Sequence, residues 1–132
     1  MYLVDTNIFL EVLLTQEKRE VCKKFLDTNI ENLFVSDLSL HTIGIILFRN
    51  NKEDVFQRFV NDVIFNVKII TLKVVSYKDL GEIKRAFGLD FDDAYQYKVA
   101  REHDLKMVTM DKDFEKVKKD ANVLFLQDVP NI

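Results

Sequence analysis

Hydrophobic residues along this chain fall into short solid runs and into stripes spaced by three and four, the signatures of buried strands and of helices packed on one side. Tyr2-Leu3-Val4 is a solid run ending at Asp5-Thr6-Asn7, which predicts a buried strand feeding a helix. Ile8, Phe9, Val12 and Leu13 have helical spacing, and Val21, Cys22, Phe25 and Leu26 repeat it, so two helices are expected next. Leu33-Phe34-Val35 predicts a second strand. Ser36 and Asp37 behind it are good N-capping types ahead of Leu38, Leu40, Ile43, Ile46 and Leu47. Val55, Phe56, Phe59, Val60, Val63 and Ile64 form the cleanest helical stripe, followed by a strand over 67–72. Ser76 or Asp79 is expected to cap a helix carrying Leu80, Ile83, Ala86 and Phe87, with Gly88 as its break. A helix from about Asp93 to His103, a strand Lys106–Thr109, a short helix Lys112–Lys119 and a last strand Asn122–Leu126 complete the reading.

Composition adds bounds. The chain has 132 residues, within the span of one ordinary domain, so a single domain over residues 1–132 is expected. Three Gly and one Pro predict short loops. The lone cysteine, Cys22, has no internal disulfide partner and reads as a small core residue. No run approaches the roughly 20 apolar residues of a membrane span, and Asp5 and Glu11 interrupt the only N-terminal candidate for a leader, so a cytoplasmic protein without membrane contact is expected. The net charge of -3 excludes a globally basic nucleic-acid binder. Local patches and bound metal escape that bound. Lys18, Arg19, Lys23, Lys24, Arg49, Lys52, Lys84, Arg85, Lys98 and Arg101 could meet phosphates, but interspersed acids make most of them solvated helix faces.

Strands separated by helices imply crossover units and a parallel sheet covered on both faces. Ligands of such sheets gather beyond the C-terminal ends of the strands. Asp5, Ser36-Asp37 and Asp111 each follow a predicted strand and should meet at one edge. With Asp93 and Asp113 they gather carboxylates from distant segments, which would repel one another unless a cation intervenes. Mg²⁺ and Mn²⁺ are the hard cations that oxygen ligands favour. Capping is the competing account of each acid: Asp5 for the helix near Asn7, Asp92 or Asp93 for the helix after Phe91, Asp111 or Asp113 for the short helix after Thr109. Capping leaves unexplained why acids recur after several strand ends of one sheet.

Leu3-Val4-Asp5-Thr6-Asn7, Asp93-Ala94 opening a helix, and Val108-Thr109-Met110-Asp111-Lys112-Asp113-Phe114 resemble the three signature segments of PIN domains, in order and over nearly the whole chain. The resemblance implies a three-layer α/β/α fold with a central, mostly parallel sheet. It also implies a metal-dependent ribonuclease of the kind found in VapC-type toxins, with RNA as substrate, an antitoxin protein as partner and a homodimer as a common assembly. Asp5, Asp93 and Asp111 would be the catalytic metal ligands for Mg²⁺ or Mn²⁺, and Asn7, Thr109 and Asp113 would support them. Asp92 is the alternative to Asp93, which is preferred because the family ligand stands just before Ala.

One departure stands out: the family's Glu, six residues after the Ser that ends the second strand, is replaced here by Thr42. Thr42 could hold a metal-bound water but supplies no charge. Asp37 is the nearest substitute in sequence, and His41 is a second candidate because imidazole binds Mn²⁺ and titrates near neutrality. The alternative function is therefore a degenerate PIN domain that binds RNA or protein without cutting. Phosphotransfer folds fit less well. A dehalogenase-like phosphatase needs an Asp where Asn7 stands, and a receiver domain needs an Asp after the third strand, where Thr71 and Lys73 stand.

Overall fold

A computed structural model describes residues 1–130, so the last two positions of the expected 1–132 domain lie outside the described residues. Its centre is a five-stranded sheet of β1 (Tyr2–Val4), β2 (Leu33–Ser36), β3 (Lys68–Ile70), β4 (Lys106–Thr109) and β5 (Val123–Phe125). The spatial order is β3-β2-β1-β4-β5 and every neighbouring pair is parallel. The expected mostly parallel sheet is thus wholly parallel, because each connection runs the length of the sheet before the next strand begins. The helices are α1 (Thr6–Leu13), α2 (Arg19–Asn29), α3 (Asp37–Arg49), α4 (Glu53–Asp62), α5 (Leu80–Phe87) and α6 (Phe91–Glu102).

Strand residues alternate between two cores, as the period of two requires. Val4, Val35 and Val108 face a core filled by Ile8, Phe9, Phe25, Ile43, Leu47 and Phe59 from α1 to α4. Leu3, Met107 and Val123 face the opposite core of Leu80, Ile83, Tyr95, Tyr97 and Val99 from α5 and α6. Helices thus cover both faces, giving the three-layer α/β/α arrangement. Each fully buried Val, Leu, Ile or Phe contributes about 1.5–3 kcal/mol, so the inner strands are anchored from both sides. Cys22 is buried in the first core with its thiol 3.7 Å from Met110 Sδ, and burial pushes its pKa up to about 11.

Several boundaries differ from those that the sequence predicts. The third strand stops at Ile70 because its next backbone groups turn to α6: the Leu72 N–H donates to Tyr95 Oη at 3.1 Å and the Lys73 N–H to Glu102 Oε2 at 2.9 Å. The cap expected from Ser76 or Asp79 is absent, since a 3-10 turn over Val74–Asp79 leads directly into α5 and Ser76 instead hydrogen-bonds Glu102. The short helix after β4 is a 3-10 turn, Lys112–Val117. Gly88 ends α5 at φ 69°, the left-handed position where a side chain is unfavourable. No described helix is long and apolar enough to cross a membrane.

Candidate functional site

Chain order reverses across the sheet between β1 and β4: β2 and β3 lie on one side, β5 on the other. Such a switch point leaves a crevice beyond the strand ends, because the connections leaving the two strands diverge. Here it is a cleft of about 230 Å³ bordered by six aspartates, Asp5, Asp90, Asp92, Asp93, Asp111 and Asp113, together with Asn7, Thr42 and Gln96. Among the described residues, no basic side chain lines it.

Asp5 directly follows β1, and its backbone N–H still donates to the Val108 carbonyl at 3.0 Å, tying it to β4. Its side chain is almost fully buried. One carboxylate oxygen accepts the Thr6 N–H at 2.9 Å, capping α1, and the other accepts the Thr109 hydroxyl at 2.7 Å. Burial raises the Asp5 pKa, and the charge of Asp111 adds to the rise. Hydrogen bonds from Thr109, the Thr6 amide and Gln96 oppose it. Thr109, buried at the end of β4, also accepts the Asp111 N–H at 3.0 Å and so joins both strand-end acids. Asp111 in turn accepts the Asp113 N–H at 2.9 Å, starting the 3-10 turn.

Asp93 enters from α6. The cap of this helix is Asp90, which accepts the Asp93 N–H at 3.2 Å, and not Asp92 or Asp93. That releases the Asp93 carboxylate from local work, and among the described residues it has no hydrogen-bond donor. Burial, then the charges of Asp90, Asp111, Asp5 and Asp113, push its pKa up to about 7. Carboxylate oxygens of Asp93, Asp111 and Asp113 lie within 4.8 Å of one another. Asp113, expected only to support the site, stands with Asp93 and Asp111, while Asp5 borders the same cleft from the strand end. Asp92 borders it from an exposed position.

The vacancy left by the family's Glu is real in space: Thr42 projects from α3 into the cleft. Neither proposed substitute reaches it. Asp37 is turned away, accepting the Tyr95 hydroxyl at 2.5 Å and the Leu38 N–H at 2.9 Å. His41 is exposed beside an apolar hollow bounded by Leu40, Gly44, Ile45, Phe48 and Phe56, and does not border the acids. Ser36 caps α3 through the Ser39 N–H at 3.0 Å. Two residues escaped the sequence reading, Asp90 and Gln96. Gln96 is buried, accepts the Ser36 hydroxyl at 2.5 Å and donates to Ser39 Oγ at 2.8 Å, clamping α6 to α3 behind the acids. Its signal was an amide three positions after Asp93 on the inward face of a helix.

Six carboxylates border this cleft with no basic side chain among its described lining residues, a repulsion that a bound cation would relieve. The all-oxygen donor set fits Mg²⁺ or Mn²⁺ and not a soft metal.

Comparison with known proteins agrees with this architecture. A toxin-antitoxin complex from Klebsiella pneumoniae superposes with a TM-score of 0.77 at 18% identity, over 98% of this chain and 100% of that one. FitAB bound to a DNA fragment gives 0.78 at 17% identity, over 98% and 97%. VapBC2 from Rickettsia felis, bound to a fragment of its promoter, gives 0.71 at 18% identity, over 94% and 96%. No curated protein matches the sequence significantly. The PIN domain family matches residues 2–120, nearly the whole chain; the chain belongs to the PIN domain family.

Proposed function

We infer that the protein is a metal-dependent endoribonuclease, acting as the toxin of a toxin-antitoxin pair in the cytoplasm. The observation that carries this reading is the cleft in which Asp93, Asp111 and Asp113 approach within 4.8 Å while Asp5 closes the base. Asp5, Asp93 and Asp111 would hold Mg²⁺ or Mn²⁺. When bound, the ion supplies charge for the phosphate and acidifies an attacking water.

The chain's own residues prepare that chemistry. Thr109 fixes the Asp5 carboxylate and the Asp111 backbone in one grip, so two of the acids cannot drift apart. Asp93 has no hydrogen-bond donor among the described residues, so its carboxylate is open to a metal ion, which would relieve the burial and acid repulsion that raise its pKa to about 7. Asp113 is placed to orient the attacking water. Asn7, exposed at the mouth, can donate its amide to a phosphate oxygen. Water attack at phosphorus would form one P–O bond and break another, the departing sugar oxygen leaving with a proton.

The structural neighbours are toxin-antitoxin complexes, which supports an antitoxin protein as partner here. Thr42 favours a second reading, a binding module that does not cut, since the α3 position where the family carries Glu has no charge. Purified protein incubated with structured and unstructured RNAs in Mg²⁺ or Mn²⁺ tests the first reading. Cleavage abolished by EDTA and by Asp93→Asn is expected. No cleavage of any RNA, with calorimetry detecting no metal binding, would establish the second.

A further inference from the structure

Behind the acid cleft lies a run of polar side chains that metal binding does not use. Ser36, Ser39 and Gln96 are buried, and Thr6, half-buried at the first turn of α1, borders the cleft itself. The Ser36 hydroxyl lies 2.5 Å from Gln96 Oε1, Gln96 Nε2 lies 2.8 Å from Ser39 Oγ, and Ser39 Oγ lies 2.8 Å from Thr6 Oγ1. The Ser39 N–H also donates to Ser36 Oγ at 3.0 Å. These contacts join β2, α6, α3 and α1 in one series.

Counting protons gives this series a direction. A side-chain amide has one accepting end and one donating end, and a hydroxyl has a single proton to give. The Ser36 hydroxyl gives its proton to Gln96 Oε1. Gln96 Nε2 therefore faces Ser39 and donates to it, and the same amide helps hold the Asp5 carboxylate. The opposite amide orientation would set an oxygen against that carboxylate and strand the Ser36 proton, so the acid itself fixes the amide. Ser39 Oγ, already accepting from Gln96, has Thr6 Oγ1 as the acceptor for its own proton among the described residues. A buried hydroxyl proton left unmet is costly. Thr6 Oγ1 accordingly accepts, and its own proton is left over in a residue that borders the cleft.

We propose that this one-way relay makes the Thr6 hydroxyl a donor into the acid cleft, where it binds a non-bridging oxygen of the substrate's phosphate. Six aspartates border the cleft, and they repel a phosphate unless a cation lies between. A phosphate offers acceptors and needs donors, and a hydroxyl polarised by the hydrogen bonds behind it is a stronger donor. A cation alone has no use for one. This rests on the nuclease reading and adds a phosphate-binding residue to it. Gln96 and Ser39 are positioning residues, acting through Thr6.

The test has three readouts: calorimetry of Mg²⁺ binding, calorimetry of inorganic phosphate binding to the Mg²⁺-loaded protein, and cleavage of a mixed-sequence single-stranded RNA. Thr6→Val keeps the shape and removes the proton. It should weaken phosphate binding and lower kcat/KM by about tenfold, the effect of losing a hydrogen bond to a charged group, with Mg²⁺ affinity unchanged. Thr6→Ser should restore both. Ser39→Ala, which leaves Thr6 in place but removes the proton behind it, should fall between the wild type and Thr6→Val. If Thr6→Val does not fold, Thr6→Ser and Ser39→Ala decide. Thr6→Val equal to the wild type in phosphate binding and cleavage overturns the proposal, as does Ser39→Ala at full strength. So does a loss of Mg²⁺ affinity in step with activity, which would show the hydroxyl serving a metal-holding acid. Phosphate binding that depends on Thr6, without RNA cleavage, leaves the relay standing and sinks the nuclease reading. Cleavage indifferent to Thr6 does the reverse, and a wild type that neither binds phosphate nor cuts RNA sinks both.

Discussion

Replacing Asp93 by Asn should stabilise the metal-free protein. Asn keeps the shape and removes the charge that the cleft tolerates least. In the folded protein the Asp93 pKa stands at about 7 against an ordinary 3.8. That difference is an upper figure of ~4 kcal/mol at about 1.4 kcal/mol per unit. Asp93 is partly exposed, and solvent screening reduces this to ~1–2 kcal/mol. Because the folded pKa lies above the unfolded one, the wild-type carboxyl is least costly below pH 3.8, where both states are protonated. Its cost builds as pH rises and is complete above about pH 7. In EDTA at pH 7.5, Asp93→Asn should therefore melt about 3–7 °C higher than the wild type, given the unfolding entropy of a domain this size. The gap should close by pH 4. Millimolar Mg²⁺ should reverse the order, since only the wild type gains a ligand. Scanning fluorimetry across that pH range is sufficient. Equal melting of the two proteins at pH 7.5 in EDTA, or a less stable variant, would refute the claim that unrelieved repulsion and burial govern this acid.

Three further outcomes follow from named contacts. Thr42→Glu should raise Mg²⁺ affinity about tenfold by calorimetry, because a further carboxylate enters the cleft from α3, and should lower the metal-free melting temperature. Thr109→Val removes the hydroxyl shared by Asp5 and the Asp111 amide, leaving a buried acceptor unmet. A loss of about 1–3 kcal/mol in urea unfolding is expected, with weaker metal binding. Gly88→Ala places a Cβ at φ 69° and 3.2 Å from Lys116 Nζ. Unfolding should show a cost of about 1–2 kcal/mol, and activity should be unaltered.

Much of the scaffold is legible in the chain because its signals are local. Solid runs such as Leu33-Phe34-Val35 and the stripe of α4 declare their elements through burial of neighbours in sequence. The positions of Asp5 and Asp111 at strand ends follow from the same runs. Other features depended on residues far apart. Asp37 looked like a spare acid until Tyr95, 58 positions away, took its oxygen. Asp90, not Asp92 or Asp93, became the cap of α6, because the helix begins at Phe91, two residues before the start that the sequence suggests. The sequence gathered Asp113 with Asp93 and Asp111, but only the fold brings their carboxylate oxygens within 4.8 Å of one another.

By itself, then, the sequence determined the order of strands and helices, the family, and which acids end up at the C-terminal edge of the sheet. Hydrophobic period and turn chemistry act over a few residues, and a string of residues records them directly. Only the tertiary structure decided that all strands run parallel, and that Thr42 faces the acids while Asp37 and His41 do not. Those outcomes depend on which side chains meet across the switch point between β1 and β4. Electrostatics acts through that space, not along the chain.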